Sequence, residues 1–142
     1  MQLYKIVYFA HGWYLAVKGR KLVKQSFEAW SYGPVLRILR DQFRQFEKRS
    51  IDVKAEVFDI FTGEVFEAPV VSDELDREFI ITIFNSYRDY DGWTLSDITH
   101  EPGSPWDNVW NSDKPVGNLA LRIDDEAIRS YFVQLPNRFV SH

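Results

Sequence analysis

The sequence predicts an α+β domain, predominantly helical: a compact bundle of about five to six helices around the N-terminal helix, with a small antiparallel β element around residues 26–32 and 55–68. Three observations carry that expectation. Apolar residues recur at helical spacing in several separate segments. Two other stretches look extended, one alternating around Glu28 and Trp30, the other with Val57, Ile60, Val65 and Val70 around Thr62-Gly63. The chain has 142 residues, 45% hydrophobic and 16% aromatic, with 11 Phe, 7 Tyr and 5 Trp, which suits one well-filled core. No repeat, low-complexity tract or long linker divides it, so a single domain over 1–142 is expected.

Leu3, Ile6, Val7, Ala10, Trp13, Tyr14 and Val17 predict a helix over 3–17. Tyr4, Tyr8, Phe9 and Leu15 fill most of its remaining face, leaving mainly Lys5 and His11 polar. A helix apolar nearly all round is central in a fold or has one side covered by a partner. Gly19 stops it, just after a dipole-compatible Lys18. Ser26 to Tyr32 reads as extended. Gly33-Pro34 then breaks the chain, and Pro34 suits the first position of a helix reaching about Phe46. On that helix Leu36, Leu39, Phe43 and Phe46 share one face, and Arg37, Arg40, Arg44 and Lys48 the opposite one.

A β-hairpin is expected within 51–71. Ser72 or Asp73 caps the next helix, to about Tyr90, and Asp91-Gly92 ends it. Thr94 with Asp97 resembles a capping box for a short helix bearing Leu95 and Ile98. After the Glu101-Pro102-Gly103 loop, Ser104 caps a second short helix, with Pro105 first and Asp107 three residues beyond the cap. Trp106, Val109 and Trp110 fall on its inner side. The last helix follows Asp124 or Asp125, carries Ile128, Tyr131, Phe132 and Leu135, and closes at Pro136.

Net charge is −4, but residues 1–50 hold ten Lys/Arg against three Asp/Glu and residues 51–142 hold seven against eighteen. Such asymmetry suits a charged partner at one end or, more plainly, two halves that attract each other in the fold. The Arg37/Arg40/Arg44/Lys48 stripe reads first as a solvated face, second as a dock for an acidic protein. Nucleic acid comes last, because phosphate-driven binding goes with basic domains and this one is acidic overall. The absence of Cys excludes a disulfide framework and thiolate metal sites, and it fits a cytoplasmic location. The most apolar stretch, Ile6 to Val17, falls well short of the roughly 20 residues of a membrane span and lacks the features of an export signal. No membrane role is expected.

Catalytic patterns are not seen. There is no P-loop, G-x-G-x-x-G, G-x-S-x-G or H-E-x-x-H, and the three histidines, His11, His100 and His142, lack metal-ligand spacing. No cofactor and no metal are expected. His100, before a loop, reads as a turn-stabilising or partner-facing residue ahead of a general base, since nothing in the sequence pairs it with a nucleophile. His11, on an apolar helix, reads as a satisfied core histidine. Trp13, Trp30, Trp106 and Trp110 are core residues by default, yet Trp, Tyr and Arg also dominate protein–protein hot spots. Trp30, Tyr32 and Trp106 stand at element ends, where a ring can be part core and part interface. With His100, Arg37, Arg40 and Arg44 they form the expected partner-binding set.

Three ordered segments carry a resemblance. Leu3-Tyr4-Lys5-Ile6-Val7-Tyr8-Phe9-Ala10-His11-Gly12-Trp13-Tyr14-Leu15-Ala16 is similar to the opening helix of the Panacea domain, also called the SocA-like or phage-associated GepA-type domain. Phe27-Glu28-Ala29-Trp30-Ser31-Tyr32-Gly33-Pro34-Val35 resembles its "EAWxYGPV" signature. Leu95-Ser96-Asp97-Ile98-Thr99-His100-Glu101, with Ser104-Pro105-Trp106, resembles its "LSxLTHxExPW" element. Many members carry a further helix before the first motif, and the stretch 51–71 is longer and more strand-like here than usual. The resemblance implies a neutralising antitoxin without catalytic residues, partnered with a toxin encoded by an adjacent gene and in some members handing that toxin to a Clp-type protease. The alternative is a phage or mobile-element accessory protein that blocks a host factor. A hydrolase built on His100 ranks behind both and predicts a polar cleft there.

Overall fold

The computed structural model describes residues 2–43, 56–58, 65–67, 74–112 and 121–136. In chain order they form α1 (Gln2–Lys18), β1 (Phe27–Trp30), β2 (Gly33–Val35), α2 (Arg37–Phe43), β3 (Glu56–Phe58), β4 (Val65–Glu67), α3 (Glu74–Tyr87), α4 (Gly92–Thr99), α5 (Pro105–Trp110), β5 (Arg122–Ile123) and α6 (Asp125–Gln134). The predominantly helical α+β class is as the sequence predicts.

Helix α1 is the axis of the fold. It packs against α3, α4, α6 and β2, and almost every residue from Tyr4 to Leu15 is buried. Its apolar circumference thus has an intramolecular explanation, with no partner needed to cover it. The core around it joins Tyr8, Phe9 and Trp13 to Phe27, Leu95, Ile123, Ile128 and Phe132. Tyr8 and Trp13 meet Phe132 edge-on, with ring centroids 5.8 and 5.3 Å apart, while Phe9 stacks on Tyr87 at 4.4 Å. Gly12 makes this possible: a Cβ there would run into the Phe132 ring.

The two polar residues of α1 are buried with the rest, and each has a partner. His11 is wholly buried. Its Nδ1 accepts the Val23 N–H (3.3 Å), so Nε2 carries the proton and donates to Asp125 Oδ1 at 2.8 Å. The ring thereby ties α1 to the following loop and to the start of α6. This is the satisfied core histidine expected from its position. Lys5, 1% exposed, donates from Nζ to the Pro34 carbonyl at 3.0 Å. Burial pulls its pKa down to about 8.

The strands form two sheets, β2-β1-β5 and β3-β4, all antiparallel. The second is the predicted hairpin. In the first, Phe27 and Ala29 point inward, and Ser31-Tyr32 turn the chain from Trp30 to its pairing partner Gly33. Pro34 corrects the sequence reading: it pairs with Ala29 in β2 and the helix begins only at Arg37. A proline is tolerated there because β2 is an edge strand, where a missing N–H costs the ladder little. Strand β5 is two residues long and had no signal in the sequence.

The helix caps follow local chemistry. Ser104 Oγ accepts the Asp107 N–H, with Pro105 in the first turn, as predicted. Helix α4 starts earlier than the proposed Thr94 cap: Asp91 accepts the Thr94 N–H at 2.7 Å, making Asp91 the N-cap and Thr94 its third helical residue. The face of α2 formed by Phe43 and Phe46, the cations Arg44 and Lys48, the Ser72/Asp73 cap and His142 cannot be compared with the structure, because their side chains lie outside the described residues.

Candidate protein-binding surface

The turn between β1 and β2 is locked to α4 and α5 by side chains that reach its backbone. Ser96 Oγ donates to the Tyr32 carbonyl at 2.6 Å, and Trp106 Nε1 donates to the Trp30 carbonyl at 2.6 Å. Lys5 holds the next carbonyl along, that of Pro34. Gly33 sits at φ +114°, and a Cβ on it would lie 2.6 Å from Thr99 Oγ1, so glycine alone fits between the turn and α4. The turn is therefore rigid by construction, which a contact surface needs.

On this base two large rings stand out into solvent. Tyr32 is 58% exposed and Trp93 is 60% exposed, and they meet edge-on with centroids 5.6 Å apart. Beside them Trp30 is half-buried under two guanidinium groups, with Arg40 Cζ 4.8 Å and Arg37 Cζ 5.6 Å from its ring centre. Arg37 also makes a bidentate pair with Glu28, both contacts 2.9 Å, and this bond holds the Glu28 carboxyl below the usual carboxylate range.

Six of the seven predicted partner-binding residues, Trp30, Tyr32, Arg37, Arg40, His100 and Trp106, lie on this turn or the elements packed around it. Arg44 lies outside the described residues. Their environments divide them. Tyr32, Trp30, Arg37 and Arg40 present surface, whereas Trp106 is only 6% exposed and acts as the strut under Trp30. His100 sits edge-on to Trp106, ring centroids 3.9 Å apart, at the C-cap of α4. Its Nδ1 lies 3.5 Å from Ser96 Oγ, whose own hydrogen goes to Tyr32, and its buried Nε2 has no hydrogen-bond partner. Trp110, expected inside, is instead 41% exposed and stacks on Trp106.

Trp93 was missed by the sequence reading. The signal was available: it lies one residue before the assumed cap Thr94, and placing the cap at Asp91 puts Trp93 in the first turn of α4.

Among the described residues no group of three or more His, Asp or Glu could hold a metal ion, and no helix is long and apolar enough to cross a membrane. The fold and this corner define an aromatic-rich α+β domain whose most distinctive surface is a braced ring pair flanked by arginines. The chain belongs to the family described as antitoxin SocA-like, Panacea domain, which matches residues 3–107 and so spans α1, the turn and α4. It is 33% identical over 132 residues to Antitoxin SocA of Caulobacter vibrioides, an alignment covering 93% of this chain and 70% of that protein. No solved structure matches it.

Proposed function

We propose that this chain is an antitoxin that neutralises a protein toxin by direct binding, and that the corner made by Tyr32, Trp93, Trp30, Arg37 and Arg40 is its contact surface. Membership of the SocA-like family supports the antitoxin role. The observation that carries the surface is the solvent exposure of Tyr32 and Trp93 on a braced turn. Exposed Trp and Tyr on a rigid base, next to Arg, have the composition of a binding hot spot, and rigidity lowers the ordering cost of association. The toxin is the product of an adjacent gene, and delivery to a Clp-type protease is a second step compatible with the same contact. The domain acts as one unit over 1–142, in the cytoplasm.

A hydrolytic role for His100 draws no support from its surroundings. Its neighbours are the Trp106 ring and the Ser96 hydroxyl, which is already committed to the Tyr32 carbonyl. Co-expression with the neighbouring gene product tests the proposal. Rescue of growth and co-elution of the two proteins are expected, with rescue lost in Trp93→Ala. Separate elution without rescue would count against direct neutralisation.

A further inference from the structure

A second feature lies among other residues. A cleft of about 250 Å³ opens between α1, the end of α3, α4 and α6. That is far more than the ~10–15 Å³ a single water needs. Its lining is largely aromatic: Tyr8 and Trp13 are buried at its back, Tyr87 and Tyr131 are half-buried and Tyr90 is exposed, and Glu101 is the charged group among the described lining residues. Among the described residues that line it none is Lys, Arg or His, and none belongs to the Tyr32–Trp93 corner.

The polar edge is organised. The Tyr131 hydroxyl donates to Glu101 Oε2 at 3.0 Å. Burial, reinforced by that bond, pushes the Tyr131 pKa up to about 12, so the phenol stays neutral and keeps its proton for the carboxylate. Trp13 Nε1 donates to the Tyr87 hydroxyl at 3.0 Å and Phe9 stacks on Tyr87, which fixes the opposite wall.

Ring faces present negative quadrupole to whatever lies between them, and a carboxylate at the edge adds a full charge of the same sign. An anion would be repelled, and a neutral apolar group would gain nothing from the Glu101 charge, whereas an organic cation gains from both the rings and the carboxylate. We infer that this cleft binds a small free organic cation, an alkylammonium or quaternary ammonium ion, with the rings around its methylene or methyl groups and Glu101 as counter-ion. The inference is independent of toxin binding, so either can fail without the other.

The test is an NMR and tryptophan-fluorescence titration of the intact chain with tetramethylammonium and n-butylammonium, against the neutral 3,3-dimethyl-1-butanol and the anion butyrate. Saturable shifts at Tyr90, Glu101 and Tyr131 are expected for the cations, with the neutral alcohol and butyrate at least tenfold weaker. Glu101→Gln should lower cation affinity at least fivefold, and Asp97→Asn, on α4 and outside the cleft, should leave it unchanged. A thermal melt on each variant separates lost binding from lost folding, and Tyr90→Phe provides a gentler second probe that keeps the ring and the affinity. Equal binding of the alcohol, no saturable shift with either cation, or an effect of Asp97→Asn as large as that of Glu101→Gln would overturn the assignment. So would a blocked Gly-Lys-Gly peptide that binds more tightly than butylammonium, since the site would then serve a protein side chain.

Discussion

Two regions of this molecule are built from the same residue types and put them to opposite use. Around α1, Tyr8, Phe9 and Trp13 pack against Phe27, Tyr87 and Phe132, and even the lysine and histidine of that helix are buried on partners. At the β1–β2 turn, the polar groups of Ser96 and Trp106 grip the backbone so that Tyr32 and Trp93 can remain in water. The first region stabilises; the second leaves apolar ring surface uncovered, which folding alone does not reward. Composition cannot tell the two apart. What separates them is whether the ring or the backbone beneath it receives the packing.

Substitutions should sharpen the contrast. Phe132→Ala removes a ring that touches Tyr8, Phe9 and Trp13 and that Gly12 leaves room for. A loss of about 3–5 kcal/mol in urea unfolding is expected.

A pH series probes Lys5. Its folded pKa of about 8 lies below the ordinary 10.5. Between those values the unfolded chain holds the extra proton, so this residue makes stability rise with pH, by up to about 3 kcal/mol over the window. The raised pKa of Tyr8 and Tyr131 works the other way above about pH 10, where the unfolded chain loses phenolic protons first. The difference between wild type and Lys5→Met isolates the lysine: it should favour wild type increasingly from pH 8 to 10.5, read by denaturant unfolding at each pH. A flat difference would mean the amine is not desolvated.

Tyr32→Ala and Trp93→Ala should move stability least, by about 0.5 kcal/mol or less in the same unfolding assay, as for surface substitutions generally.

Much of the framework could be read from residue spacing. The seven-residue apolar set from Leu3 to Val17 gave α1, and Ser104-Pro105 gave the start of α5, because both signals are local. Non-local facts were not legible. Lys5 is polar by type, and only the carbonyl of Pro34, 29 residues away, explains its burial. Strand β5 exists through pairing with β1, across more than ninety residues, not through its own two residues. Pro34 fits a helix start or an edge strand equally well by local rules, and the sheet decides. The corner residues Trp30, Tyr32 and Trp106 stood out by type and position. That Trp106 braces follows from its bond to the Trp30 carbonyl, which no spacing encodes, whereas the place of Trp93 in the first turn of α4 follows from the local Asp91 cap.

The central claim is that the exposed ring pair works by contact and not by holding the fold together. The most direct measurement is calorimetric titration of the Tyr32→Ala/Trp93→Ala double variant with the protein encoded by the adjacent gene, run beside its thermal melt. Affinity lower by roughly a hundredfold or more, on the scale of lost hot spots, with an unchanged melting temperature is the predicted result. Wild-type affinity in a variant that still folds would contradict it.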